Sequence, residues 1–146
     1  MFRLQRLAVL AAFVGILSAS ACGGDSPTGP STPTATYSST DLVVGTGAEA
    51  VVGRRLTVHY TLWLYNPALP ESKGQQIQTS VGGSPFAFTL GAGQVIRGWD
   101  QGLVGMKAGG RRRLILPPSL AYGSNANGDI PANASLVFDI ELLEVQ

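Results

Sequence analysis

Charge is sparse in this chain, and cysteine and histidine are nearly missing. Only 13% of its 146 residues are Asp, Glu, Lys or Arg, and the formal net charge is +1. That balance gives no general attraction to a polyanion, so nucleic acid is not expected as a partner. Cysteine and histidine occur once each, as Cys22 and His59. A single chain therefore has no internal disulfide and no Cys/His zinc cage, and neither a metal nor another cofactor is expected. A Ser-His-Asp triad could run only through His59. That residue lies in the alternating run Leu56-Thr57-Val58-His59-Tyr60-Thr61-Leu62, on the face opposite Leu56, Val58, Tyr60 and Leu62. It reads as an exposed strand histidine rather than a base. Arg111, Arg112 and Arg113 form the only basic run, and with no aromatics interleaved they read as a solvated strand end. Gly91-Ala92-Gly93 lacks the GxGxxG spacing and a following lysine, which makes it a tight turn and not a phosphate loop.

What is present begins with an export signal. Arg3 and Arg6 supply a positive start, and Leu7 to Ala21 carries no charge. That stretch is too short to span a bilayer comfortably, and it ends in small residues, so residues 1–21 read as a signal peptide. Cys22 follows Ala19-Ser20-Ala21 directly, an arrangement similar to a bacterial lipobox, although Ala19 stands where leucine is usual. The resemblance implies cleavage before Cys22, acylation of its thiol, and a protein anchored to a membrane of the bacterial cell envelope. Residues 22–37 continue as a Gly/Ser/Pro/Thr-rich stretch without apolar periodicity, expected to be a flexible spacer. Loss of Arg3 and Arg6 would leave a mature charge of 10 − 2 − 9 = −1.

Residues 38–146 read as one domain. Leu56 to Leu64 alternates, and so does Leu136 to Leu142, with Leu136, Phe138, Ile140 and Leu142 on one face. Phe86 to Leu90 and Arg113 to Leu116 are shorter strand candidates, while two prolines and a glycine make Asn66 to Gly74 a loop. Only Val95 to Met106 has helical spacing, and Gly98, Gly102 and Gly105 make it a helix that packing must hold. Several strands and one helix predict an α+β domain, an antiparallel sheet folded over the helix.

Four segments carry the functional signal: VHYT at Val58 to Thr61, PFAFTLGAGQVIRGWDQGL at Pro85 to Leu103, LAYGS at Leu120 to Ser124, and IPANASLVFDIELLEV at Ile130 to Val145. In this order they closely resemble the FKBP-type peptidyl-prolyl cis-trans isomerases (immunophilins), over the range from about Thr40 to Gln146. The resemblance implies a five-stranded antiparallel sheet wrapped around the short helix, with a substrate cavity between them. It places Trp99 on the cavity floor, Val95 and Ile96 along one side, and the Ile96 backbone N–H and Tyr122 hydroxyl on substrate carbonyls. Tyr60, Phe86 and Phe138 become aromatic walls and Ile130 the rim, while Phe88 reads as core. Proline-containing polypeptides are the implied substrates, and the protein is expected to be a monomer.

Three departures from the family pattern bear on activity. The usual Phe-Asp pair is Ile77 and Gln78 here, and the loop Val81 to Ser84 has no arginine to pair with an acid. Gln78 can accept a hydrogen bond from Tyr60 but brings no charge. The loop Asn66 to Gly74 is longer than usual, and the family arrangement sets it beside the pocket. The rim between Tyr122 and Ile130 is shortened. Binding of macrolide immunosuppressants is accordingly expected to be weak. Two readings remain open: an isomerase assisting the folding of envelope proteins, and a chaperone-like module that grips proline-containing or apolar segments with little turnover.

Overall fold

The computed structural model describes residues 32–146. Residues 1–31 lie outside it, and with them the signal peptide, Cys22 and most of the spacer. The elements are β1 (Ser38–Val43), β2 (Arg55–Tyr65), β3 (Lys73–Thr79), β4 (Phe86–Thr89), α1 (Arg97–Gly102), β5 (Arg111–Leu116) and β6 (Leu136–Val145). The sheet is antiparallel in the order β1-β5-β6-β2-β3, with β4 also on β2. The expected five strands are thus six. β4 pairs Arg55 to Val58 of β2 while β3 pairs Thr61 to Tyr65, so the two share one position, interrupted by residues 80–85.

The alternation in β2 and β6 sets the core. Leu56, Val58 and Leu62 of β2 and Leu136, Phe138, Ile140 and Leu142 of β6 are buried on the face that meets α1. Phe88 is core, as expected. Helix α1 is shorter than its apolar spacing predicts. Ile96 is still extended (φ −59°, ψ 150°), and Gly105 at φ 80° turns the chain away soon after Leu103. Within α1, a Cβ on Gly98 would overlap the Leu116 side chain, and one on Gly102 would come within 2.8 Å of Leu114. These glycines let the helix lie directly on β5, which outweighs their poor helix propensity.

The arginine run differs from expectation. Arg111 is exposed, but Arg112 forms a two-bond fork onto Asp41 (2.6 and 3.1 Å) and donates to the carbonyls of Gly102, the last residue of α1, and Val104 just after it. Arg113 forks onto Asp139 (2.7 and 3.0 Å). Planar guanidinium groups in two-point contact with carboxylates are structural ties between strands, not solvated charges. Lys73 reaches Asp139 as well, at 2.7 Å, and lies 4.3 Å over the Trp63 ring. Glu71 joins both cations, with Lys73 at 2.7 Å and Arg113 at 3.1 Å. This network pins the loop Asn66 to Gly74 to the outer sheet face. It also offsets the left-handed backbone of Glu71 and Ser72 (φ 55° and 56°), a conformation costing roughly 1–3 kcal/mol per residue. The loop is not beside the cavity described below.

The spacer also ends earlier than expected. Ala35 is 5% exposed and donates its N–H to Ser135 Oγ at 2.8 Å, so the docked chain begins before residue 38.

Candidate active site

The inner face of β2 and the start of α1 enclose a cavity of about 360 Å³, within the range of small-molecule sites. Trp99, in the first turn of α1 and 4% exposed, forms its floor. Tyr60 and Phe138 stand on it nearly at right angles, with ring centroids 5.2 and 5.4 Å away and interplanar angles of 78° and 82°. Phe86 adds a third edge at 6.2 Å and 78°, and Phe88 supports the indole from the core at 5.6 Å. Edge-to-face contacts of this kind each add about 0.5–1.5 kcal/mol beyond buried area. The floor is therefore braced by aromatic neighbours on several sides. The indole Nε1 is enclosed with no hydrogen-bond acceptor among the described residues, a desolvation cost of about 1–3 kcal/mol retained at the site.

The wall formed by Gln94, Val95 and Ile96 is held from two sides. Asp100, next to the floor tryptophan, accepts the N–H groups of Gly91 (2.8 Å) and Gly93 (3.2 Å). Gln94 Oε1 accepts the N–H of Thr89 at 2.8 Å. Floor and wall are thereby tied into one unit. Across the cavity, Tyr60 lies where β2 has lost β4 and not yet gained β3. Ser80 fills that gap: its Oγ accepts the Tyr60 N–H at 2.9 Å and its N–H donates to the Tyr60 carbonyl at 2.9 Å. The same Oγ lies 3.1 Å from His59 Nδ1. His59 is half-buried on the outer face, away from the cavity, rather than fully exposed.

Of the residues predicted for the site, Tyr60, Gln78, Phe86, Val95, Ile96, Trp99, Tyr122 and Phe138 meet around this cavity. Ile77 and Ile130 do not reach its wall. The register of β2 on β3 jumps from Leu62↔Gln78 to Trp63↔Gln76, leaving Ile77 as the extra residue of a bulge. Ile77 packs against the core instead, while Gln78 keeps the inward position opposite Leu62. Ile130 is 5% exposed, and its reciprocal backbone bonds with Asn127 (both 2.9 Å) close the rim turn over it. The lining also includes Leu62, Gly93 and Gln94. Leu62 shares the strand parity of Tyr60 and Gln94 adjoins Val95, so both could have been found from the sequence.

Tyr60 and Gln78 make no hydrogen bond with each other in this structure, contrary to the pairing open to them. The Tyr60 phenol is pushed above its ordinary pKa, mainly by burial and then by the neighbouring Tyr122. It stays protonated through neutral pH and is a hydrogen-bond donor. None of the lining residues carries a formal charge at neutral pH.

A sheet folded over a short helix whose tryptophan floors an uncharged aromatic cavity defines a small-ligand site of the prolyl-isomerase type. The sequence model described as FKBP-type peptidyl-prolyl cis-trans isomerase matches residues 47–143. The chain belongs to that family. It is similar to the FK506-binding protein of Neisseria meningitidis serogroup B, 48% identical over 106 residues that cover 72% of this chain and 92% of that protein. FK506-binding protein 2 of Dictyostelium discoideum is 48% identical over 95 residues, 64% of this chain and 66% of that one. Among solved structures, the crystal structure of AtFKBP13 superposes with a TM-score of 0.64 at 36% identity, covering 75% of this chain and 93% of its own.

Proposed function

We propose that this isomerase accelerates X–Pro rotation in polypeptides folding within the bacterial cell envelope, held near a membrane by acylated Cys22. The observation that carries the catalytic part is the uncharged aromatic cavity over Trp99. Amide resonance sets a barrier of roughly 18–20 kcal/mol, and X–Pro bonds consequently turn over slowly in water. In the twisted transition state that resonance is lost and the imide carbonyl becomes less polar. A dry aromatic cavity disfavours the planar ground state more than the twisted one, which is the differential binding that lowers a barrier.

The proline ring sits on Trp99 between Tyr60, Phe86 and Phe138. The Ile96 N–H and the Tyr122 hydroxyl take the substrate carbonyls, and Val95 closes the side. No side chain has to transfer a proton or form a covalent bond. Relatives carry the name FK506-binding protein, and the same cavity is proposed to take such macrolides weakly, because Gln78 supplies no carboxylate. The second reading, a binding module of low turnover, rests on Ile77 lying off the cavity wall. NMR exchange measurements on short X–Pro peptides with the purified protein separate the two. Catalysed exchange supports the enzyme; bound peptide without faster exchange supports the binding module.

A further inference from the structure

We propose that Ser80 is a positioning residue for the isomerase reaction: it sets Tyr60 in the cavity wall and does not itself touch the substrate. The proposal rests on the isomerase reading above and extends it to a residue outside the lining. In an antiparallel sheet the N–H and C=O of one residue point to the same neighbouring strand. Those of Tyr60 point away from β6, to the edge where pairing with β4 stops at Val58↔Phe86 and pairing with β3 starts at Thr61↔Thr79. No strand meets Tyr60 there, and Ser80 takes both groups. Its Oγ accepts the Tyr60 N–H and its own N–H donates to the Tyr60 carbonyl, each at 2.9 Å. The carbonyl has a second donor in the Thr79 hydroxyl at 3.2 Å. Almost any residue at position 80 could supply a backbone N–H. The Tyr60 N–H instead needs a short side chain with an acceptor, which serine provides. His59 Nδ1, 3.1 Å from the same Oγ, holds that hydroxyl from the outer face.

Ser80 also reaches the next wall. Its carbonyl accepts the Gly83 N–H at 3.1 Å, which opens the turn leading into β4 at Phe86. The Phe86 ring meets Tyr60 edge-on, with centroids 6.2 Å apart and an interplanar angle of 79°. One serine thus fixes the bases of two cavity walls relative to each other. Loss of its Oγ loosens β2 at Tyr60, lets the ring retreat from the proline site, and admits water to a cavity whose dryness carries the catalysis.

The test places Ser80→Ala and Ser80→Thr in the wild-type chain, and Ser80→Ala also in a Tyr60→Ala background. NMR exchange on an X–Pro peptide gives kcat/KM at a temperature where circular dichroism shows each variant folded. Ser80→Ala keeps the backbone bond and loses only the side-chain acceptor. It is expected to lower kcat/KM about fivefold, the size of one neutral hydrogen bond. Ser80→Thr keeps a hydroxyl and should retain about half of the wild-type value or more. Because Ser80 acts through the Tyr60 ring, Ser80→Ala should change kcat/KM by less than about twofold in the Tyr60→Ala background, a non-additivity that a general loss of stability does not produce. An equal loss in both backgrounds overturns the proposal. So does full activity of Ser80→Ala, or a Ser80→Thr variant as poor as Ser80→Ala. Where Tyr60→Ala leaves no measurable exchange, the two single variants decide by those same criteria. Absence of catalysed exchange in the wild type removes the isomerase reading itself, and this proposal with it.

Discussion

Gly98→Ala is the perturbation whose sign the packing of α1 decides. At an exposed helical site, replacing glycine by alanine stabilises by about 1 kcal/mol, because the unfolded chain loses freedom. Here the new methyl would overlap Leu116, whose Cγ lies 3.0 Å from the Cβ position and whose side chain is wholly buried. Overpacking of this kind costs about 1–3 kcal/mol. The expected net effect is a loss of roughly 1–2 kcal/mol, with α1 displaced from β5. Trp99 follows Gly98 directly, so the cavity floor moves with the helix, and kcat/KM should fall several-fold even under conditions where the variant is fully folded. Urea titration followed by tryptophan fluorescence measures the stability term. The double variant Gly98→Ala/Leu116→Val supplies the missing space and should recover part of both losses, with a coupling of about 0.5–3 kcal/mol. A Gly98→Ala variant more stable than wild type and equally active would show that α1 does not lie against β5 as described.

Further outcomes follow from the network and the departures. Burial alone would raise the pKa of Asp139, but the hydrogen bonds from Arg113 and Lys73 prevail and hold it below the ordinary carboxylate value. A carboxylate depressed in the fold stabilises above its unfolded pKa of about 3.9 and loses that contribution as pH falls through the folded value. Asp139→Asn should therefore cost about 2 kcal/mol at pH 7, and the gap from wild type should close below pH 4 in denaturation experiments. Wild-type protein should partition with membranes, and Cys22→Ser should be released or misprocessed; a soluble, unacylated wild type would contradict the anchor. Ile77→Phe should raise kcat/KM by at most roughly tenfold, since a ring at the bulge can reach substrate where isoleucine does not. A fall on every peptide with the fold intact would show that isoleucine suits this cavity.

Local pattern made much of the fold readable in advance. β2 and β6 alternate cleanly enough that their inward residues are the observed core, and Tyr60, Trp99, Tyr122 and Phe138 line one cavity, as the family resemblance implied. The features that escaped depend on partners distant in sequence. Arg112 looks solvated until Asp41 is brought back 71 positions to meet it, and Arg113 until Asp139 joins β6 to β5. Ala35 reads as spacer because its acceptor, Ser135, lies 100 residues away. Ile77 was misplaced for a different reason. A single-residue bulge sets two neighbouring residues against one partner, and no local signal in the segment Gln75-Gln76-Ile77-Gln78 marks it. The shortness of α1 was likewise hidden, because its apolar spacing continues through Leu103 and Met106 after the helical backbone has ended.

The central claim is that the aromatic floor performs the catalysis, and Trp99→Leu addresses it most directly. Leucine preserves an apolar contact under the helix, but loses the plane on which proline is proposed to pack and its edge-to-face contacts with Tyr60 and Phe138. Exchange rates on an X–Pro peptide should be measured at a temperature where circular dichroism shows the variant folded. The account predicts a loss of kcat/KM of at least tenfold, equivalent to about 1.4 kcal/mol of transition-state stabilisation. A folded Trp99→Leu protein with the wild-type rate would place the catalytic site elsewhere.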